Sequence, residues 1–183
     1  MSDDLAGDPT ADLTYPEVGA TRAALAAGRA ASRGLPDGYR HLLVDGRLPD
    51  GTDLDRVGRR LLAWQVHHGA GARLEVDGPV APGTRVTSRL GPPPLAVVAP
   101  CRVVWVADEP DLVGFGYGTR PGHPFVGEEA FAVRREADGS VHLLVVAFSR
   151  PARWWAAAAG PLVPLLQRRY ARGLVRSASS GTA

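Results

Sequence analysis

The chain has one cysteine, Cys101, among 183 residues, which excludes an intrachain disulfide and any multi-cysteine metal site. A reducing, cytoplasmic setting is therefore expected. Lysine is missing: all 21 basic side chains are arginines, set against 19 acidic ones for a formal charge of +2. With so much Ala, Gly and Arg, that usage reflects a GC-rich coding bias more readily than a nucleic-acid surface, and no nucleic-acid partner is expected. Long hydrophobic runs are missing too. The longest, WWAAAAGPLVPLL at 154–166, is too short and too broken by Gly and Pro to span a bilayer. The opening MSDDLAGDPTAD is acidic and has no apolar segment of the kind a secretory signal needs. There is no G-x-S-x-G elbow, phosphate-binding loop or dinucleotide fingerprint. GFGYG at 114–118 is not G-x-G-x-x-G and precedes no helical pattern. His67 and His68 are adjacent, which is not the i, i+4 spacing of a helical zinc pair, so neither a metal nor a cofactor is expected.

What is present reads as one folded unit. Apolar residues make up 45% and charged residues 22%, a globular composition at a length that supports a single core. Residues 1–12 and 177–183 are small and polar and are expected as flexible ends, leaving a domain over 13–176. PEVGATRAALAAGRAASRG at 16–34 predicts a short helix opened by Pro16 and Glu17 and closed by Gly34. YRHLLVDGRL predicts a first strand. TDLDRVGRRLLAWQVHH at 52–68 has an N-cap at Thr52 or Asp53, then Leu54, Val57, Leu61 and Trp64 at helical spacing. From Arg73 to Ser149 the period changes to two, with turn signals that predict five further, mostly antiparallel strands. Ser149 and Pro151 are placed to open a long terminal helix that Pro161 and Pro164 kink or divide. Its second half carries Leu162, Leu166, Tyr170 and Leu174 on one stripe, and Arg168, Arg172 and Arg176 on another.

This order predicts an α+β fold, a curved antiparallel sheet of about six strands gripping a Pro-kinked C-terminal helix, with helices at the N-terminal end. The stretches LTYPEVGATR, CRVVWVADEP, GYGTRPGHPFVGEEAF and AFSRPARWW resemble the signature stretches of the family catalogued as domain of unknown function 1990, over roughly residues 13–176. That family brings no activity with it. The element order is also similar to the helix-grip, START-like superfamily, and the similarity implies a cavity for a hydrophobic small molecule or lipid.

The richest stretch is FGYGTRPGHPFVGEEAF at 115–131. A two-residue loop at Asp138-Gly139 would set Phe131 opposite Val146 and Glu129 opposite Phe148. Alternation then gives Phe115, Tyr117, Glu129, Phe131 and Phe148 one face and Glu128 the other, so the two glutamates are no catalytic pair. Glu129 among aromatics needs an Arg, an ordered water or a proton, and Arg120, His123 and Arg150 are candidate partners. It reads either as the polar anchor of a ligand cavity or as a structural ion pair. His123, between Gly122 and Pro124, is either a proton carrier working with Glu129 or an ordinary turn histidine. Three functions stay open: binding of a hydrophobic molecule walled by Phe115, Tyr117, Phe131 and Phe148 with Arg120 nearby, acid–base catalysis by Glu129 and His123, and an interaction module using the tryptophans and the basic helix. A homodimer is compatible with each.

Overall fold

A computed structural model describes residues 10, 12–27, 34–90, 96–158 and 162–180. Among them a seven-stranded antiparallel sheet runs in the order β1-β7-β6-β5-β4-β3-β2. The strands are β1 (Arg40–Arg47), β2 (Arg73–Val76), β3 (Arg85–Leu90), β4 (Val97–Glu109), β5 (Leu112–Thr119), β6 (Phe125–Arg135) and β7 (Val141–Pro151). Six strands rather than five follow Ala72, because the short β2 pairs with β3 through Arg73–Val76. The helices are α1 (Ala20–Ala26), α2 (Leu54–Leu62), α3 (Gln65–Gly69), α4 (Trp154–Ala158) and α5 (Leu162–Ser179). No helix among the described residues is long and apolar enough to cross a membrane.

Both faces of the sheet are covered. On the inner face, Val113, Phe115, Phe131, Val133, Leu143 and Val145 share a core with Leu54, Val57 and Leu61 of α2, Val66 of α3, and Ala171, Leu174 and Ala178 of α5. On the outer face, Ala130, Ala132, Leu144, Val146 and Phe148 pack with Tyr15, Ala24, Leu25 and Trp105. SVHLLVVAF is apolar at consecutive positions for this reason: Val141, Leu143 and Val145 are buried on one side, Leu144, Val146 and Phe148 on the other. The terminal helix therefore lies on the side of Phe115 and Phe131. The glycines of β5 face the other way, where a Cβ on Gly116 would run into the Trp105 ring and one on Gly118 into Tyr15.

Several local expectations are corrected. The β6–β7 connection has three residues, 137–139: Glu136 N–H donates to Ser140 O at 2.8 Å, and Gly139 sits at φ 82°. Asp138 Oδ1 accepts from Ser140 N at 2.9 Å, which fixes the longer turn. One extra residue changes the parity of the register. Phe131 thus pairs with Val145, Glu129 with Ala147 and Glu128 with Phe148, so Phe148 belongs to the outer face and is no wall of an inner cavity. Across β5–β6, Phe115 pairs with Phe131 and Tyr117 with Glu129, which keeps those four on one face as expected.

The helix expected over 52–68 is capped by Asp53, whose Oδ1 accepts from Asp55 N at 2.9 Å and Arg56 N at 3.2 Å. It breaks at Trp64, which adopts φ 63°. That left-handed turn costs about 1–2 kcal/mol, offset by burial of the indole against Phe115, centroids 5.0 Å apart, and a 3.3 Å hydrogen bond from Nε1 to Gly78 O. Ser149 does not cap a helix. It pairs with Gly127 and Arg40, and β7 continues to Pro151. The N-terminal helix begins at Ala20 after Gly19 at φ 86°, and residues 28–33 of its expected span lie outside the described residues. So do residues 159–161 between α4 and α5, Pro161 among them, and residues 1–9, 11 and 181–183 of the expected flexible ends. At the C-terminal side α5 runs to Ser179 with Ser177 and Ala178 buried, so the chain is packed beyond the boundary at 176.

Candidate functional site

The two glutamates of GEEA have opposite surroundings. Glu128 is buried on the outer face and saturated with donors: Tyr15 Oη at 2.7 Å, Gly19 N at 2.8 Å, Thr21 N at 3.1 Å and the Thr21 hydroxyl. Trp105 Nε1 in turn donates to Thr21 Oγ1 at 3.0 Å. Tyr15, Gly19, Thr21, Trp105 and Glu128 come from three separate signature-like stretches of the sequence. Their convergence ties the N-terminal segment across the sheet.

Glu129 points inward. Its one hydrogen bond among the described residues comes from Tyr117 Oη, 3.1 Å from Oε2, and none of the described arginines pairs with it. Burial pushes its carboxyl up to about 7, while the Tyr117 hydroxyl pulls modestly the other way. Glu129 and Tyr117 are half-buried by accessible surface, and burial dominates the shifts of both. Tyr170 of α5 completes the group. Burial raises its phenol, and the Glu129 charge raises it further.

Deeper under α2 and α3, the Phe115 and Phe131 rings lie 5.6 Å apart and are fully buried. Tyr117 is 5.4 Å from Phe131. His67 closes this end, 4.6 Å from Phe131 edge-to-face. Both His67 ring nitrogens are buried without a hydrogen-bond partner, and burial lowers its ionisation to about 3, with His68 adding to the effect. It is a neutral aromatic filler. Its signal in the sequence is position: His67 lies three residues beyond Trp64 on the apolar stripe of Val57 and Leu61.

The other expected partners are elsewhere. Arg120 binds Asp12, with Nη2 2.5 Å and Nε 3.1 Å from Oδ2. Arg150 lies over the Tyr39 ring at 5.2 Å. His123 Nδ1 is 2.9 Å from both N and O of Phe125, so the ring is bound to its own turn in either tautomer. Burial lowers it to about 4, and its hydrogen bonds among the described residues do not reach Glu129. Cys101 is buried, and its thiol is raised by burial and by Glu129. Among the described residues no three His, Cys, Asp or Glu side chains gather as metal ligands. The site the structure assembles is thus Tyr117, Glu129 and Tyr170 above the Phe115–Phe131 pair. Tyr170 was visible in the sequence only as a member of the α5 stripe.

A model of the family described as "Domain of unknown function (DUF1990)" matches residues 14–177. The chain belongs to the DUF1990 family. Two curated relatives are UPF0548 proteins, one from Deinococcus radiodurans, 51% identical over 81 residues, and one from Arabidopsis thaliana, At2g17695, 34% identical over 82 residues. Each alignment takes in 42% of this chain, and 41% and 40% of the relative, so the chain spans about two fifths of the length of the curated relatives it matches. Among solved structures, the DUF1990 chain is similar to hypothetical protein jhp0584 from Helicobacter pylori, with a TM-score of 0.59 at 12% identity, covering 80% of this chain and 89% of that one. It is similar to TTHA0849 from Thermus thermophilus, TM-score 0.53 at 16% identity, covering 79% and 100%. The major latex-like protein 151 of Panax ginseng gives 0.51 at 14%, covering 79% and 98%. At such identities the likeness shows the fold alone, and that fold is the helix-grip.

Proposed function

We propose that this DUF1990 chain binds a hydrophobic small molecule or lipid bearing one hydrogen-bonding group, seated between the sheet and the first half of α5, with Glu129 as its polar anchor. The observation that carries the reading is the half-buried Glu129 carboxyl, which has Tyr117 Oη as its one hydrogen-bond partner and no cation among the described residues. The helix packs through Ala171, Leu174 and Ala178, Tyr170 is half-buried at the flank of that face, and Leu166, about 80° round the helix from Leu174, is 62% exposed. Tyr117 and Tyr170 both pack against the inner core, and Glu129 is bound to Tyr117 beside them. A carboxyl held there without a cation has lost much of its hydration, and a ligand hydroxyl, amine or amide could restore a partner. Phe115 and Phe131 form the apolar floor, whereas Arg120 and Phe148 have no part in it.

Glu129 at about 7 is also poised as a general acid or base near neutral pH. This favours, as a second reading, a proton transfer on the bound molecule, carried by Glu129 without His123. A titration with N-phenyl-1-naphthylamine, a neutral apolar probe, tests the binding reading. Saturable emission is expected, with affinity changed about tenfold in Glu129→Gln or Tyr117→Phe. Absence of saturable emission, or affinities equal in all three proteins, contradicts it.

A further inference from the structure

The end of the molecule where α5 begins carries large apolar side chains in water. Trp154 is 83% exposed, Trp155 41%, Leu165 61% and Leu166 62%. Their surroundings are basic. Arg168, Arg169 and Arg172 stand three, four and seven residues after Leu165, on the same outward face of α5, and all three are exposed. Among the described residues no carboxylate pairs with them, whereas Arg120, Arg134 and Arg135 each have one. From Gly139 to the C-terminus the sequence holds six arginines and no acidic residue, in a chain whose net charge is +2. The rest of the chain is therefore net acidic, and the positive charge is segregated into this end.

The exposed tryptophans and the arginines belong to one region of the fold. Gln167 and Arg168 of α5 line a small cavity of about 50 Å³ with Phe125 and Pro151, and Pro151 is where β7 ends and the chain turns into α4. Ala152 N is held there by Pro124 O at 2.9 Å. Trp154 and Trp155 thus leave the sheet beside the first turns of α5.

We propose that this end of the molecule docks on the surface of an anionic lipid bilayer. Indole rings favour the headgroup level, where an apolar body and an N–H are both accommodated, and leucines beside them enter the acyl boundary. Exposed arginines with no carboxylate partner among the described residues are drawn to anionic headgroups. With no helix among the described residues fit to span a bilayer, the contact is peripheral. The charge segregation favours this partner over a second copy of the chain, since two such ends would bring like charges together. Docking does not depend on a ligand being bound beneath α5, and its test uses no ligand.

The test is co-sedimentation with phosphatidylcholine vesicles that are pure or contain about 30% phosphatidylglycerol. The protein is expected to pellet with the anionic vesicles only, and to be released by about 0.5 M salt. The variants Trp154→Ser/Trp155→Ser and Arg168→Glu/Arg169→Glu/Arg172→Glu should each lower the partition at least about tenfold while melting as the parent does, because every altered side chain is at the surface. Protein left in the supernatant with anionic vesicles overturns the proposal, as does either variant pelleting like the parent. Size exclusion supplies the remaining outcome: a dimer dissolved by Trp154→Ser/Trp155→Ser would assign the patch to a second copy and equally overturn it.

Discussion

Glu128 and Glu129 differ by one position and should respond oppositely to the same substitution. Glu128 accepts from four donors, so a glutamine there would turn an amide N–H₂ against N–H and O–H groups that need an acceptor. Glu128→Gln is expected to cost about 2–4 kcal/mol in denaturant unfolding. Among the described residues Glu129 has one donor and no cation, and its folded value of about 7 stands above the ordinary 4.5. Between those values the folded chain keeps a proton that the unfolded chain has lost, so stability falls as pH rises through that window. By about pH 8 the charged carboxyl costs about 2–3 kcal/mol. Glu129→Gln should therefore melt above the parent at about pH 8 and level with it near pH 4.5. His67, lowered to about 3, and His123, lowered to about 4, act in the other direction, losing stability as pH falls below 6.5, and they cancel in the comparison of parent and variant. A Glu129→Gln protein melting below its parent at about pH 8 would contradict this account. The facing of these two residues was legible from strand alternation alone. Their partners were not, because Tyr15 and Thr21 lie more than a hundred residues away in sequence and nothing local announces them.

At the scale of elements, α5 packs on the sheet through Ala171, Leu174 and Ala178 and exposes Leu166. Leu174→Asp would place a charge in the core and should cost about 4 kcal/mol or more, whereas Leu166→Asp on the same stripe should change stability by no more than about 0.5 kcal/mol. Denaturant midpoints of the two variants measure the difference, and equal losses would mean that Leu166 is buried as Leu174 is. Periodicity drew the stripe through Leu166, Tyr170 and Leu174, whereas the buried face is centred on Ala171, Leu174 and Ala178, because small alanines that let the helix approach the sheet carry little weight in an apolar pattern. The β6–β7 hairpin shows the same boundary. Asp138 and Gly139 announce a turn, yet its length is fixed by the Asp138–Ser140 bonds, and one residue decides whether Phe148 faces α5 or Tyr15. The Asp53 cap, by contrast, is a local interaction and could be read directly. Trp64 breaks the helix after it for a tertiary reason, burial against Phe115, that no propensity encodes.

For the whole molecule, a sheet packed on both sides leaves little freedom in where a ligand could sit. Its outer face is closed by the N-terminal segment clasped to Glu128, and its inner face is filled by Phe115, Phe131, Trp64 and His67 as far as Tyr117. The proposed ligand position beside Tyr117, Glu129 and Tyr170 is where the inner face meets a carboxyl with no cation partner among the described residues. Composition and period were enough to predict the α+β class and the gripped terminal helix, because those follow from patterns summed over many residues. The site rests on three side chains from three elements, of which the sequence singled out two. Native mass spectrometry of the purified protein tests whether a ligand is held at Glu129. A discrete small-molecule adduct is expected on the parent chain, released on denaturation and diminished in Glu129→Gln; the bare chain mass in both proteins, or an adduct of equal occupancy in both, would rule out Glu129 as the anchor.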